Sequence, residues 1–363
     1  MPQLRTNRPT LSPESTGSFP KVRSLPVEQW PEADRAAWMA ACRSAERLRR
    51  GGAASHLKDV TRRDLARRYG YLLDYVERSE GLDRNAEAAS YVTLDRVDRF
   101  VTELRTRIRS VTVYATIYKV RRTAQLLAPG RDFIWLREIE KDLALMMQPK
   151  SKFDRLVYNH VLLEAGMTLM AEADSSTRRS ALARARQFRN GLMVAVLAVH
   201  MIRLKNFAAL EIGGSLKKIN SAWWILLPAS ETKEERRDER LVDQCLIGWI
   251  ERYLNVHRPV LARTENPPAA LWLSSNDGHA MSYSGVARVI SQTTLATVGI
   301  DVSPHLFRAA GASTSAVYAR GNPHLASALL HHTDPRVTEA HYNRASSLSA
   351  VQAYGTLVTA LRK

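Results

Sequence analysis

The chain has 363 residues and an apolar fraction of 45%, enough for two or three domains and a sizeable core. Its formal net charge of +17 favours a polyanionic partner, a solvated cationic surface being the plain alternative. The only cysteines, Cys42 and Cys245, lie too far apart for a zinc-ligand spacing or a secreted disulfide framework, and a reducing cytosol fits.

Residues 1 to about 26 are rich in Pro, Ser and Thr and read as a poorly ordered arm without the apolar core of a signal peptide. A short amphipathic helix is expected from Glu32 to Arg50, broken by Gly51-Gly52. Four helical segments follow, with Thr61, Thr93, Ser110 and Asp132 as expected caps. Leu65, Leu72 and Val76 mark the apolar face of the first. Val97, Phe100, Val101, Leu104 and Ile108 mark the second. The third runs to Pro129-Gly130. The fourth carries Ile134, Leu136, Ile139, Leu143 and Met147. Arg62, Arg63, Arg67 and Arg68 on the first, with Arg121 and Arg122 on the third, are candidates for DNA phosphate contact; a solvated helix face is the other reading.

Gln148-Pro149-Lys150-Ser151-Lys152 is the expected linker. Pro149 stops the helix, and Lys150 and Lys152 suit either a strap across a phosphate backbone or an ordinary solvated turn. Helices are then expected from Phe153 to about Ala173 and from Thr177 to Arg203. The apolar run 192–199, with His200, Met201 and Ile202, is too short to span a bilayer, so that helix end should be buried in protein. The period then changes: Ser215–Ile219, Trp223–Leu227 and Glu239–Val242 read as short strands, the last two joined by a charged turn, Glu231–Asp238. Helices resume near Leu241, with a loop at Pro259 and Pro267-Pro268, and a later helix is capped by Ser282 and ended by Gly299. The fold class is therefore mainly α with a small antiparallel sheet.

The stretch from Ser303 to Arg344 organises the rest. Ser303-Pro304, Asn322-Pro323 and Asp334-Pro335 each place a capping residue before Pro at a first helical position. The first of these helices carries His305 and Arg308 on one face, the second ends near His331 and His332, and the third carries Tyr342. Such a set suits chemistry on an anion. Taken singly, each has an ordinary reading. Arg203, at the end of a buried helix, needs an anion: either a carboxylate such as Glu211 or a bidentate phosphodiester. Lys233 by itself is a surface lysine, and Tyr342 by itself a core or interface tyrosine.

His305-x-x-Arg308, Leu330-His331-His332-Thr333 and Tyr342 together resemble the second signature box of the tyrosine recombinases, or phage integrases, of mobile-element type. AVHMIRLKNFAAL, around Arg203, resembles the first box, and Ser230-Glu231-Thr232-Lys233 resembles the family's lysine hairpin. There are departures. Asn206 stands where the family usually has Glu or Asp, and His331 replaces a glycine, so His331 is a second candidate for the acting imidazole. The spacing from His332 to Tyr342 is one residue longer than usual.

The resemblance implies a helical core-binding (SAM-like) domain over 55–147, a linker over 148–152 and a catalytic domain of the DNA breaking-rejoining fold over 153–345. An arm with a short helix (1–54) precedes them, and a tail helix (346–363) follows. The tail packs on its own domain or on a neighbouring protomer. The implied partners are a double-stranded DNA recombination site, further copies in a tetramer on synapsed DNA, and an accessory DNA-bending protein; the implied location is the nucleoid in the cytoplasm. Tyr342 would attack the scissile phosphate, with Arg203 and Arg308 neutralising its oxygens, His305 positioning it or acting as base, His332 donating a hydrogen bond and Lys233 protonating the leaving 5′ oxygen. A tyrosyl ester conserves the energy of the cut, so no cofactor is implied. An idle DNA-binding regulator of the same fold and a type IB topoisomerase are the competing readings.

Overall fold

The computed structural model describes residues 22–45, 50–149, 155–232, 235–264 and 266–318. The chain divides into two compact units, Met1–Lys150 and Ser151–Lys363. The described residues are mainly helical with one small antiparallel sheet. No helix among them is long and apolar enough to cross a membrane.

The first unit contains α1 (Glu32–Cys42), α2 (Asp59–Ser79), α3 (Leu94–Arg107), α4 (Ser110–Leu127) and α5 (Trp135–Leu145). Its core is formed by the periodic apolar positions of α2 and α3, together with Ile117, Val120, Leu136 and Leu143. Trp30 and Trp38 belong to the same core, Trp30 meeting Tyr69 edge-on at 4.9 Å. The segment before residue 55 thus helps to build this unit. Buried Asp34 ties α1 to it, accepting from Tyr69 Oη at 2.8 Å and from the Ala89 amide at 2.6 Å.

Local details differ from the sequence expectation. The first helix ends at Cys42 because the chain folds back on it: the Gly52 and Ala54 amides take the carbonyls of Arg43 and Ala41. Gly52 has no room for a Cβ against the carbonyl groups of Ala40 and Ala41. α2 begins at Asp59, before Thr61. Ser110 lies inside α4, where its Oγ accepts from the Gln148 amide at 3.0 Å and fastens the end of the unit. Asp132 makes a turn with the Ile134 amide at 2.7 Å and so delays α5 to Trp135, leaving Ile134 exposed.

The second unit is organised on two closely packed helices, α6 (Asn159–Ser175) and α7 (Ala181–His200). Their backbones touch at Gly166 and Gly191, where a Cβ on either would overlap the other's carbonyl oxygen. α7 starts later than the expected Thr177, capped by Ser180, which accepts from the Ala183 amide at 3.2 Å. After α8 (Leu204–Ala208) come β1 (Leu216–Ile219), β2 (Ala222–Leu227) and β3 (Asp238–Leu241), antiparallel in the order β1-β2-β3. Asn220 and Ser221, both at positive φ, make the tight first turn. Leu241 ends β3, so the next helix, α9 (Gln244–Arg252), waits for its cap, Asp243. A π-helical turn (Tyr253–His257) leads into α10 (Arg258–Ala262). Ser282 and left-handed Gly299 bracket α11 (Tyr283–Val298) as expected, and α12 (Pro304–Tyr318) follows.

Candidate active site

The centre of the candidate site is the sharp turn between α7 and α8. α7 stops at His200 because Met201 enters the left-handed region (φ 49°), which costs a residue with a Cβ about 1–2 kcal/mol. The expectation that the helix runs on to Arg203 is corrected by this turn. Half-buried Arg203 instead stands in extended conformation just before α8, its carbonyl accepting from the Phe207 amide at 2.9 Å.

Three groups fix the turn from outside. Arg308, only 7% exposed on α12, donates from Nη1 to the Met201 carbonyl at 2.7 Å. Arg240 on β3 donates from Nη1 to the His200 carbonyl and forks onto Asp238 at 2.7 and 2.9 Å. Asn159, at the start of α6, donates from Nδ2 to the Ala198 carbonyl at 2.8 Å, while its own amide donates to Thr314 Oγ1 on α12 at 3.1 Å. Gly311 sits one turn beyond Arg308, where a Cβ would overlap the Met201 sulfur. Glycine at 311 therefore lets α12 approach closely enough for Arg308 to reach the turn.

His305 lies one turn before Arg308, at the start of α12, and is exposed. Arg308 and the turn carrying Arg203 are thus brought together by a direct hydrogen bond, with His305 on the same helix as Arg308. His200 is buried beside them, and its Nε2 makes no hydrogen bond. Burial first, and then the Arg240 charge, push its pKa down to about 4, against the smaller pull of Asp243 and Asp238. Asn206 is buried in α8. Thr232, beside Lys233, is buried and bonds through Oγ1 to the Arg236 carbonyl at 2.7 Å. Lys233, His331, His332 and Tyr342, like Lys150 and Lys152, lie outside the described residues.

The first unit carries its own basic feature. A groove of about 680 Å³ between α2 and α4 is lined by Arg63, Arg67, Arg68, Tyr118, Lys119 and Arg122, with Asp64 among them. Asp64 is bonded by Lys119 and by Arg67 (2.8 Å). Burial alone would raise its carboxyl pKa, but these hydrogen bonds outweigh that and hold it lower. One carboxylate facing several cations leaves the groove positive. Arg121 does not belong to it. Its guanidinium turns inward onto Glu140, at 2.6 and 3.1 Å, and is only 8% exposed, which corrects its assignment to a DNA-facing surface. Arg62 also lies outside the groove lining, bonded to Asp59 at 2.6 Å and to the Cys42 carbonyl at 3.0 Å.

No family model matches the sequence, and no curated protein matches it. Solved structures do. The XerH site-specific recombinase bound to difH substrate, in a pre-cleavage complex, superposes with a TM-score of 0.51 at 15% identity, over 91% of this chain and 99% of that one. The chain has the tyrosine-recombinase fold. A post-cleavage complex of XerH on palindromic difH matches at 0.45 and 13% over the same shares, and the XerA recombinase at 0.37 and 16%, over 83% and 94%.

On this tyrosine-recombinase fold, the expected fold class and the observed one agree. Sequence reasoning missed Lys119 and Tyr118 in the groove and Arg240 and Asn159 at the turn. Lys119 was within reach of it, because three residues before Arg122 is the same helix face. Arg240 and Asn159 carry no local signal, since what they hold is a backbone carbonyl distant in sequence.

Proposed function

We propose that the chain is a site-specific DNA recombinase that cleaves and rejoins strands through a 3′-phosphotyrosyl intermediate. The observation that carries the reading is the hydrogen bond from buried Arg308 to the turn bearing Arg203. It ties two guanidinium-bearing elements of a tyrosine-recombinase fold to one place, as binding of a single phosphate requires.

In this reading Tyr342 Oη forms a bond to the scissile phosphorus as the bond from phosphorus to the 5′ oxygen breaks. The phenolic proton passes to His305, and Lys233 gives a proton to the departing 5′ oxygen. Arg203 and Arg308 offset charge on the non-bridging oxygens, and His332 donates a hydrogen bond to them. The partner duplex's 5′ hydroxyl then attacks the tyrosyl ester, transferring the strand and freeing Tyr342. The ester keeps the energy of the broken bond, so resealing draws on neither ATP nor a metal.

The groove between α2 and α4 is the second half of the proposal: Arg63, Arg67 and Arg122 contact the phosphates of the same duplex, with Lys150 and Lys152 crossing the backbone between the two domains. XerH was solved on its substrate DNA. A tetramer on two synapsed sites, in the nucleoid and aided by a DNA-bending protein, completes the reading.

The experiment is incubation with nicked duplexes carrying the sequence this chain selects from a randomised pool. A denaturant-resistant protein–DNA adduct is expected. Its absence, with binding intact, points to a DNA-binding regulator; relaxation of plasmids lacking that sequence points to a topoisomerase.

A further inference from the structure

Arg240 belongs to neither of the sequence boxes, yet it is built like a working part. It lies on β3, opposite Ile225 of β2. Its side chain is only 11% exposed and is locked by the two-pronged contact with Asp238, so its position is fixed before it reaches anything else. From there Nη1 meets the His200 carbonyl, the last of α7. That carbonyl lies at the helix C-terminus, where unpaired carbonyls concentrate negative partial charge, and a guanidinium is the donor best matched to it.

The consequence lies three residues on. Between His200 and Arg203 the backbone makes its left-handed excursion at Met201, a conformation that neighbours must enforce. Arg308 enforces it from α12 and Arg240 from the sheet, through adjacent carbonyls. Arg308 is itself assigned to the phosphate; Arg240, braced by Asp238, holds the adjacent carbonyl. We propose that Arg240 is a positioning residue, which fixes the direction of Arg203 by holding the His200 carbonyl and so couples the sheet to the phosphate-binding turn. The proposal rests on the recombinase reading of Arg203.

The test compares two suicide duplexes of the sequence selected by this chain. One carries an ordinary scissile phosphate, and the other a methylphosphonate there, which has no negative non-bridging oxygen to neutralise. Displacing a catalytic group by about 1 Å costs up to about a hundredfold, so R240M should form adduct at least about tenfold more slowly on the phosphate. On the methylphosphonate its rate should stay within about twofold of the parent, because the misdirected guanidinium is no longer required. R203A/R240M should be no slower on the phosphate than R203A, since the two changes remove one function.

Equal losses on both duplexes would reduce Arg240 to a fold-stabilising contact and overturn the proposal, as would an unchanged rate on both. If R240M does not fold, R240K keeps a donor for the carbonyl without the fork to Asp238. It should show the same selective loss at smaller size, and loss on both duplexes would again refute the proposal. An unsubstituted chain that forms adduct on neither duplex refutes the recombinase reading itself.

Discussion

Arg308 Nη1 meets the Met201 carbonyl at 2.7 Å across 107 residues of sequence. This hydrogen bond makes a residue assigned to the chemistry part of the architecture as well. The same guanidinium that closes α12 onto the α7–α8 turn is the one assigned to the phosphate, so its orientation is set before DNA arrives.

Replacing Arg308 with Lys should separate these roles. The charge survives but the planar fork is lost. Adduct formation is expected to fall by about a hundredfold or more, the scale for removing one donor to a developing anion. Unfolding in urea should lose only about 1.5–3 kcal/mol, the scale of one charged hydrogen bond. Equal activity in the two chains would remove Arg308 from the chemistry.

Gly311→Ala should destabilise the second unit by about 1–3 kcal/mol, because the new methyl overlaps the Met201 sulfur in a packed interface. Met201→Ala in the same chain should recover part of that loss, a favourable coupling visible in a double-mutant cycle by urea unfolding. Strict additivity would mean that the two residues do not compete for the same space.

Two adjacent arginines on α4 should behave in opposite ways. Arg121→Met leaves buried Glu140 without its partner and should cost about 3–5 kcal/mol of stability. Arg122→Ala, in the groove, should leave stability nearly unchanged, weaken DNA binding, and lower the slope of log affinity against log salt by about 1. Salt-dependent binding isotherms and melting curves on the two variants decide it.

That pair also shows what a sequence conceals. Arg121 and Arg122 are adjacent in the chain; Arg121 falls on the helix face of Ile117, but that Glu140 of α5 meets it there is set by the fold. The helices, the sheet and the caps at Ser282 and Gly299 were readable because period and capping chemistry are local. The end of α7 was not, since apolar residues continue past His200 and Met201 is no helix breaker. The break is held by Arg240, Arg308 and Asn159, three residues that lie far from it in the chain. The candidate pairing of Arg203 with Arg308 came from motif resemblance alone; spacing in sequence could not have supplied it.

His200 gives a pH signature. In the unfolded chain its imidazole protonates near 6.5, but in the folded chain only near 4, because of burial and then the Arg240 charge, with Asp243 and Asp238 opposing. The unfolded state therefore binds more protons between these values. Stability is full above pH 6.5, falls as pH drops towards 4 by on the order of 3 kcal/mol, and changes no further on this account below that. His200→Gln should flatten that portion of a urea-midpoint profile against pH. A profile of unchanged slope would place the titration elsewhere.

The nucleophile is the claim on which the catalytic account depends. Tyr318 is the useful control: it is exposed, and it sits ten residues past Arg308 on the same helix, about 15 Å along the axis and too far to share a phosphate with it. The decisive measurement is mass spectrometry of the peptide bearing the trapped nucleotide, on the unsubstituted chain and on Tyr342→Phe and Tyr318→Phe. The account predicts the nucleotide on Tyr342, no adduct from Tyr342→Phe, and undiminished adduct from Tyr318→Phe. A nucleotide found on any other residue, or an adduct surviving in Tyr342→Phe, would contradict it.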